Sequence, residues 1–315
     1  MSRREPTQTE MLHELEPAVA KELDRHLAMA KEWMPHEYVP WTDASNFDGP
    51  MGGVAWDVSQ SKVNETARTA LVVNLLTEDN LPSYHREIYE SFGRDGAWGT
   101  WIGRWTAEEG RHGTAIRDYL LATRAVDPVA LERERMVHMT QGFETSYQLD
   151  MLHTLAYVSF QELATRISHR NTGKFTEDPF CEQLLARIAV DENLHMVFYR
   201  NLLGQALELA PDATVQAVWD VVEGFEMPGS TIEGFTRRSL QIALAGIYDL
   251  RIHCDEVLNP VLKYWKLFDI ERLSPEAEQA REKLAAFLTA LDTKAGRFED
   301  KREQLKARQA QQAQA

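Results

Sequence analysis

The chain writes Glu-x-x-His behind another acid twice, as "EEGRH" at 108–112 and "DENLH" at 191–195. Residues i and i+3 of a helix stand about 60° apart around its axis and about 4.5 Å apart along it, so both side chains can reach one cation. Glu109–His112 and Glu192–His195 are such pairs. A third Glu-x-x-His, Glu10–His13, is what chance supplies in a chain of 315 residues. What sets the first two apart is an upstream acid: Glu78 precedes Glu109 by 31 residues, and Glu162 precedes Glu192 by 30. A dinuclear site in a four-helix bundle takes one Glu from each of two helices and a Glu-x-x-His from each of the other two. The spacing therefore asks for two antiparallel helix hairpins packed together, converging Glu78, Glu109, His112, Glu162, Glu192 and His195 on a pair of metal ions. Glu10–His13 has no upstream partner and is assigned to chance.

The flanks of the two upstream acids support this. Glu78 closes the apolar run "ALVVNLLTEDNL" and Glu162 sits inside "LHTLAYVSFQELATRI". A lone carboxylate in such a helix costs several kcal/mol unless its charge is paired. Four carboxylates and two neutral imidazoles carry four negative charges, which two divalent cations cancel. Mixed oxygen and nitrogen donors suit iron or manganese better than zinc, without choosing between the two. The extra acids, Glu108 and Asp191, are placed to accept the remaining ring N–H of the histidine on the opposite helix.

The rest of the chain reads as helix. Glycine and proline are sparse, 17 and 12 residues, and apolar positions recur three and four apart. This predicts helices at 8–31, 60–81, 98–123, 128–141, 146–169, 178–208, 212–226, 235–268 with a break near Pro260, and 274–307. The segment 33–56 lacks that period, and its three tryptophans predict an ordered connection that shields them from water. The expected architecture is all-α, a ferritin-like four-helix core within a larger helical bundle. It forms a single domain over 1–315, with frayed ends near 1–8 and 305–315.

Composition excludes other classes. A net charge of −15 argues against general nucleic-acid binding. No stretch approaches the roughly 20 apolar residues that span a bilayer. The N-terminal residues carry no apolar run of the secretory type. Cys181 and Cys254 show no CxxC spacing, which predicts reduced thiols in a soluble cytoplasmic protein.

Five words of the sequence, "EWMPHEYVPW", "LLTEDNLPSYH", "TWIGRWTAEEGRHG", "SFQELATRISHRNTG" and "IAVDENLHMVFY", resemble the soluble acyl-carrier-protein fatty-acid desaturases of plant plastids and actinobacteria. The similarity runs over roughly 30–270. It implies two irons, with Glu109 and Glu192 as bridging carboxylates, Glu78 and Glu162 as terminal ones, and one iron on each of His112 and His195. It implies O₂ as co-substrate and Thr165 beside the dioxygen pocket. Trp33, His169 and Asp191 match residues of an electron path. The partners implied are acyl carrier protein, a ferredoxin-type reductant and a second copy in a homodimer.

Two positions depart from the family pattern: Gly110 where asparagine is common, and Leu194 where a basic residue helps hold the carrier's prosthetic arm. The stretch "MTQGFETSYQLDM" is shorter than in plant members. A bent apolar channel is expected beside the metals, with Leu155 and Phe160 as candidate lining. Because the carrier is acidic like this chain, binding requires a basic patch. Arg166, Arg170, Lys174, Arg237 and Arg238 are its candidates. Two other functions fit the same residues: a di-iron or manganese–iron oxidase or oxygenase acting on another lipid, and a non-catalytic acyl-binding member.

Overall fold

The computed structural model describes residues 4–143, 150–229 and 231–313. Its helices are α1 (Gln8–Met29), α2 (Glu65–Asp79), α3 (Leu81–Phe92), α4 (Gly96–Ala122), α5 (Pro128–Gln141) and α6 (Met151–Phe175). They continue as α7 (Pro179–Leu209), α8 (Pro211–Glu223), α9 (Phe235–Ala245), α10 (Leu250–Ile252), α11 (Asn259–Tyr264) and α12 (Pro275–Ala313). Among the described residues the only β pairing is an isolated bridge between Phe47 and Val54. No described helix is long and apolar enough to cross a membrane.

The core is built from α2, α4, α6 and α7. Capping side chains set several starts: Asn64 accepts from the Ala67 amide before α2, Asp150 from His153 before α6, and Asp178 from Phe180 before α7. The pair α6–α7 packs most extensively. Gly173 allows it, because a Cβ there would stand 3.1 Å from Glu182 Cα and 3.2 Å from Leu185 Cβ. The apolar interior is divided. Trp98, Trp101 and Trp105 of α4 join Met196, Phe198 and Tyr199 of α7 in one cluster. Ala115, Ile116 and Tyr119 of α4 join Leu184, Leu185 and Ile188 of α7 in another. Glu109, His112, Glu192 and His195 fall between them, so the polar belt lies across the bundle with apolar packing on both sides.

Several expected boundaries shift for identifiable reasons. The stretch from 82 to 97 contains an unforeseen helix, α3, which packs along α4. Pro82 near its start lacks an N–H, and α2 ends at Asp79 with Asn80 between the two helices. The expected start of α6 at 146 lies outside the described residues, as do 144–149 of the segment compared with the plant proteins. The predicted 235–268 helix breaks at Gly246, which caps α9 with φ +77°. Pro260 does not break the chain there. It opens α11, and the preceding turn, His253–Leu258, relaxes into π-helical bonding. α12 continues to Ala313 instead of ending at 307.

The connection from α1 to α2 is ordered, as its composition suggests, but only in part through tryptophan burial. Trp33 is buried, Trp56 donates to the Arg124 carbonyl at 3.0 Å, and Trp41 is 48% exposed. Arg124 organises much of the segment. Its guanidinium donates to the Gln60 side chain at 2.9 Å, the Val54 carbonyl at 2.8 Å and the Asn46 carbonyl at 3.3 Å, and lies over the Phe47 ring. Hydrogen bonds from a charged donor contribute about 1.5–3 kcal/mol each and do not add fully. Arg124→Ala should therefore lower unfolding free energy by about 2–4 kcal/mol in urea titrations, and a loss under 1 kcal/mol would remove the clamp from this account.

Candidate metal centre

Each core helix delivers its expected side chains to one place. Glu78 comes from the last turn of α2, Glu109 and His112 from α4, Glu162 from α6, and Glu192 and His195 from α7. All six are buried. Their ligand atoms form two overlapping groups: Glu78, Glu109, His112 and Glu192 in one, and Glu109, Glu162, Glu192 and His195 in the other, each within 4.8 Å. Glu109 and Glu192 belong to both, and each divides its oxygens between them. His112 Nδ1 lies 3.5 Å from Glu109 Oε2 and 3.3 Å from Glu192 Oε1. His195 Nδ1 lies 2.8 Å from Glu109 Oε1 and 3.8 Å from Glu192 Oε2. Glu78 Oε2 completes the first group at 3.8 Å from His112 Nδ1, and Glu162 Oε2 completes the second at 3.6 Å from His195 Nδ1.

The polar atoms facing this space go unsatisfied. Glu109 Oε1, Glu162 Oε2, both Glu192 oxygens, His112 Nδ1 and His195 Nδ1 are buried without a hydrogen-bond partner. Orphaned buried groups are costly, and six aimed at one space fit cations. The atoms facing away are all held. His169 Nε2 meets Glu78 Oε1 at 2.8 Å, and Trp105 Nε1 donates to Glu162 Oε1 at 2.9 Å. Thus each terminal acid has one oxygen fixed and one turned inward. Neither partner was expected in this role. For Trp105 the available signal was its place four residues before Glu109, one turn away on the same face.

The imidazoles are oriented from behind as predicted from Glu108 and Asp191. His112 Nε2 lies 3.3 Å from Asp191 Oδ2, which also accepts from Trp33 Nε1 and Arg111 Nη2, each at 2.7 Å. Arg187 closes on the other Asp191 oxygen. The Trp33 ring stacks on His112 at 6.3 Å, and the Arg111 guanidinium lies over the same indole at 4.4 Å. Across the site, His195 Nε2 lies 2.8 Å from Glu108 Oε2, and Arg104 Nε donates to Glu108 Oε1 at 2.7 Å. With Nε2 carrying the proton in both rings, each Nδ1 presents a lone pair to the cluster. His169 differs from the expectation that groups it with Trp33 and Asp191. It makes no hydrogen bond to either and belongs to Glu78.

Electrostatics follow from this packing. Burial, and then the neighbouring carboxylates, push Glu78 and Glu162 well above the ordinary range. Burial also opposes ionisation of Glu109 and Glu192, but the close approach of His112 and His195 overcomes it and holds both below that range. Asp191 behind His112 and Glu108 behind His195, and then the cluster carboxylates, push the two imidazoles up against their burial. Asp191 is held at about 2, burial being outweighed by its bond to His112. Burial lowers His169 to about 4, so it serves Glu78 as a neutral donor. Metal-free, the cluster therefore balances its charge with protons. Cations would displace them.

The site opens onto an apolar cavity of about 630 Å³ whose wall includes Glu78, Glu109, Leu81, Tyr84, Val158 and Thr165. A second cavity, about 570 Å³, lies between α2, α6 and α9 and shares Thr77, Thr165 and Met227 with the first. Thr165 is engaged with its own helix. Its hydroxyl donates to the Gln161 carbonyl at 2.7 Å and accepts from Gln161 Nε2 at 2.9 Å. Leu155 and Phe160, the sequence-based lining candidates, instead pack in the core and line neither cavity. Gly110 marks no close helix approach: a Cβ there would meet only Leu81 Cδ2, at an ordinary 3.6 Å. Leu194 is buried.

Comparison with known families decides the affiliation. The model of the family described as fatty acid desaturase matches residues 7–315. The chain belongs to the fatty acid desaturase family. Among its desaturase relatives, DesA1 of Mycobacterium tuberculosis, which is named as an acyl-(acyl-carrier-protein) desaturase, is 49% identical over 93% of this chain and 88% of the relative. A chloroplastic palmitoyl-(acyl-carrier-protein) 4-desaturase of Ophrys sphegodes is 29% identical over 87% of this chain and 77% of its own. The crystal structure of the mycobacterial desaturase DesA2 superposes with a TM-score of 0.71 at 31% identity, covering 86% of this chain and 98% of that one. The desaturase affiliation thus covers the helical core that assembles the six side chains.

One consequence is testable without turnover. An acid whose folded-state pKa is raised adds stability below its unfolded pKa and loses it as pH rises through the folded value. Metal-free protein should therefore lose stability above the ordinary carboxylate range, partly through Glu78 and Glu162. Glu162→Leu should stabilise the metal-free protein by about 1–4 kcal/mol at neutral pH and flatten that pH dependence. The check is chelator-treated protein followed by thermal unfolding from pH 5 to 8. A metal-free variant less stable than its parent would count against the charge strain described here.

Proposed function

We propose that this chain is a di-iron, O₂-dependent desaturase that introduces a double bond into an acyl chain carried as a thioester on acyl carrier protein. The supporting observation is the conjunction of six inward-facing ligand atoms in two overlapping groups with an apolar cavity that touches them. The donor set of carboxylates and imidazoles suits iron, and the named activities of the relatives supply the substrate class. Bound there, iron supplies the O₂ activation needed to break an unactivated methylene C–H bond. Overall, two hydrogens leave adjacent carbons, and O₂ becomes two waters with two further electrons and two protons.

The protein's own residues do the rest. Glu78, Glu109, His112 and Glu192 would hold one metal, and Glu109, Glu162, Glu192 and His195 the other. His169 and Trp105 keep the terminal acids from rotating. The two cavities together offer apolar walls for an extended acyl chain. Their shared wall at Thr77, Thr165 and Met227 places the middle of that chain beside Glu78. Apolar lining excludes water from the reacting carbons. Thr165 lies beside the position assigned to O₂. The Trp33–Asp191–His112 series is the route from a ferredoxin-type reductant, its indole and imidazole rings being near-parallel at 13°.

The basic candidates separate. On α6, Arg166 and Arg170 stand about 160° around the helix from the cavity-lining Ser168, and Lys174 about 120°, so this stripe faces away from the outer cavity. Arg237 and Arg238 lie on α9, whose Phe235 and Ser239 line it. Arg238 is paired with Glu134, whereas Arg237 and Arg68 line the adjacent surface hollow with no carboxylate of the described residues within ion-pair distance. Arg68, absent from the sequence-based candidates, joins Arg237 as the preferred carrier contact.

Iron-loaded protein given a reductant, O₂ and acyl carriers of several chain lengths should yield an unsaturated acyl product. Fully saturated acyl chains from protein that holds two irons would refute the assignment. Ser239→Trp should block the outer cavity and lower kcat/KM at least 10-fold on the order expected for lost substrate positioning, with iron content unchanged. Reversing both free arginines, Arg68→Glu with Arg237→Glu, should weaken carrier binding by about 10-fold or more at low salt and flatten its salt dependence. Unchanged affinity would move the docking face elsewhere.

A further inference from the structure

Glu108 serves two imidazoles. His195 Nε2 lies 2.8 Å and His26 Nε2 3.0 Å from the same oxygen, Oε2, while Arg104 occupies Oε1. His26 is completely buried on α1, a helix that contributes none of the six proposed ligands. Its ring stacks against His195 at 5.7 Å and 23°, and the Trp101 indole stands edge-on to it at 5.0 Å. A polar ring shut into an apolar environment, with one nitrogen spent on a carboxylate that is itself spent on a proposed ligand, is a costly arrangement to retain for packing alone.

Its counterpart lies across the site. There Asp191 accepts from His112 and from the Trp33 indole. The two series have the same form: proposed ligand histidine, carboxylate, then a ring N–H from the N-terminal segment. His26 in α1 and Trp33 just beyond it supply the two outer rings. Arginines complete both carboxylates, Arg111 and Arg187 at Asp191 and Arg104 at Glu108, and Arg104 is 39% exposed. An exposed guanidinium holds its partner loosely. The buried donor must therefore set the plane of Glu108.

We propose that His26 is a positioning residue which, by donating to Glu108, fixes the ring and tautomer of His195 and so sets the affinity of the metal position on the His195 side. The inference rests on the dinuclear reading given above. Removing an outer partner of this kind costs about 10–100-fold in metal affinity. The effect is confined to one of the two positions, because His26 has no hydrogen bond to the His112 series.

Cobalt(II) titrated anaerobically into chelator-treated protein, followed by its visible absorption, tests this without turnover. The parent should take up two equivalents. His26→Phe keeps a ring against Trp101 and deletes the N–H. One equivalent should weaken about 10–100-fold with an altered spectrum, the other staying unchanged along with the circular dichroism and metal-free Tm. His26→Gln, which retains a donor, should recover much of the affinity. Introduced into a Glu108→Gln background, His26→Phe should cost little more, since both act through one contact. Two equivalents bound by His26→Phe with parental affinity would overturn the role. So would equal weakening of both in step with a falling metal-free Tm, which is the mark of packing. If the Phe variant does not fold, His26→Met against His26→Gln reads the same difference, and equal affinities overturn it. A parent that takes up fewer than two equivalents sinks the dinuclear reading itself.

Discussion

Four carboxylates buried within one bundle, with too few protein donors to satisfy them, are the constraint on which this structure turns. Left as anions they would drive the helices apart. The protein answers by fixing each outward-facing atom with a partner and leaving the inward-facing atoms bare. Everything nearby serves that division. Apolar clusters on either side of the belt pack the helices around it. Gly173 lets α6 and α7 approach closely enough for Glu162 and Glu192 to face the same space.

The architecture is close to two-fold in its chemistry without being so in its sequence. Each half has a terminal acid with one oxygen clamped, a shared acid, and an imidazole backed by a carboxylate. The clamps differ, His169 for Glu78 and Trp105 for Glu162, and so do the outer rings, Trp33 and His26. A symmetric scaffold thus presents two chemically unequal surroundings. One half ends in an indole flanked by Arg111 and Arg187, the other in an imidazole enclosed by Trp101. This inequality is where the two metal positions can acquire different properties.

What could be read in the residues alone was governed by spacing. The 31- and 30-residue intervals and the i, i+3 pairs named all six inward-facing side chains, because helix geometry converts such intervals into position. Glu108 and Asp191 were legible for the same reason. His26 and Arg68 were not, since nothing in their local sequence ties them to the site. They reach it through packing of α1 and α2 that no local period encodes. Trp105 offered only its place one turn before Glu109. The interior places of Leu155 and Phe160 show the converse: an apolar residue beside a ligand has the same appearance whether it faces a cavity or a neighbouring helix. α3 escaped because its period is short and opens on Leu-Pro, a signal that reads equally as a turn. The arginine stripe on α6 was visible as charge, but its direction depended on which face of α6 the cavity occupies.

The interruption between α2 and α3 has a consequence for how a long flexible molecule gets near so crowded a centre. A four-helix core with uninterrupted rods is filled from end to end. Here α2 stops at Asp79, and the short helix that Pro82 opens brings Leu81, Tyr84, Glu87 and Ile88 to the cavity wall. The wall beside the cluster is thus supplied by a second helix that begins where α2 ends. Lengthening, shortening or re-aiming α3 could therefore retune which part of a guest comes to rest there while leaving the six inward-facing groups untouched.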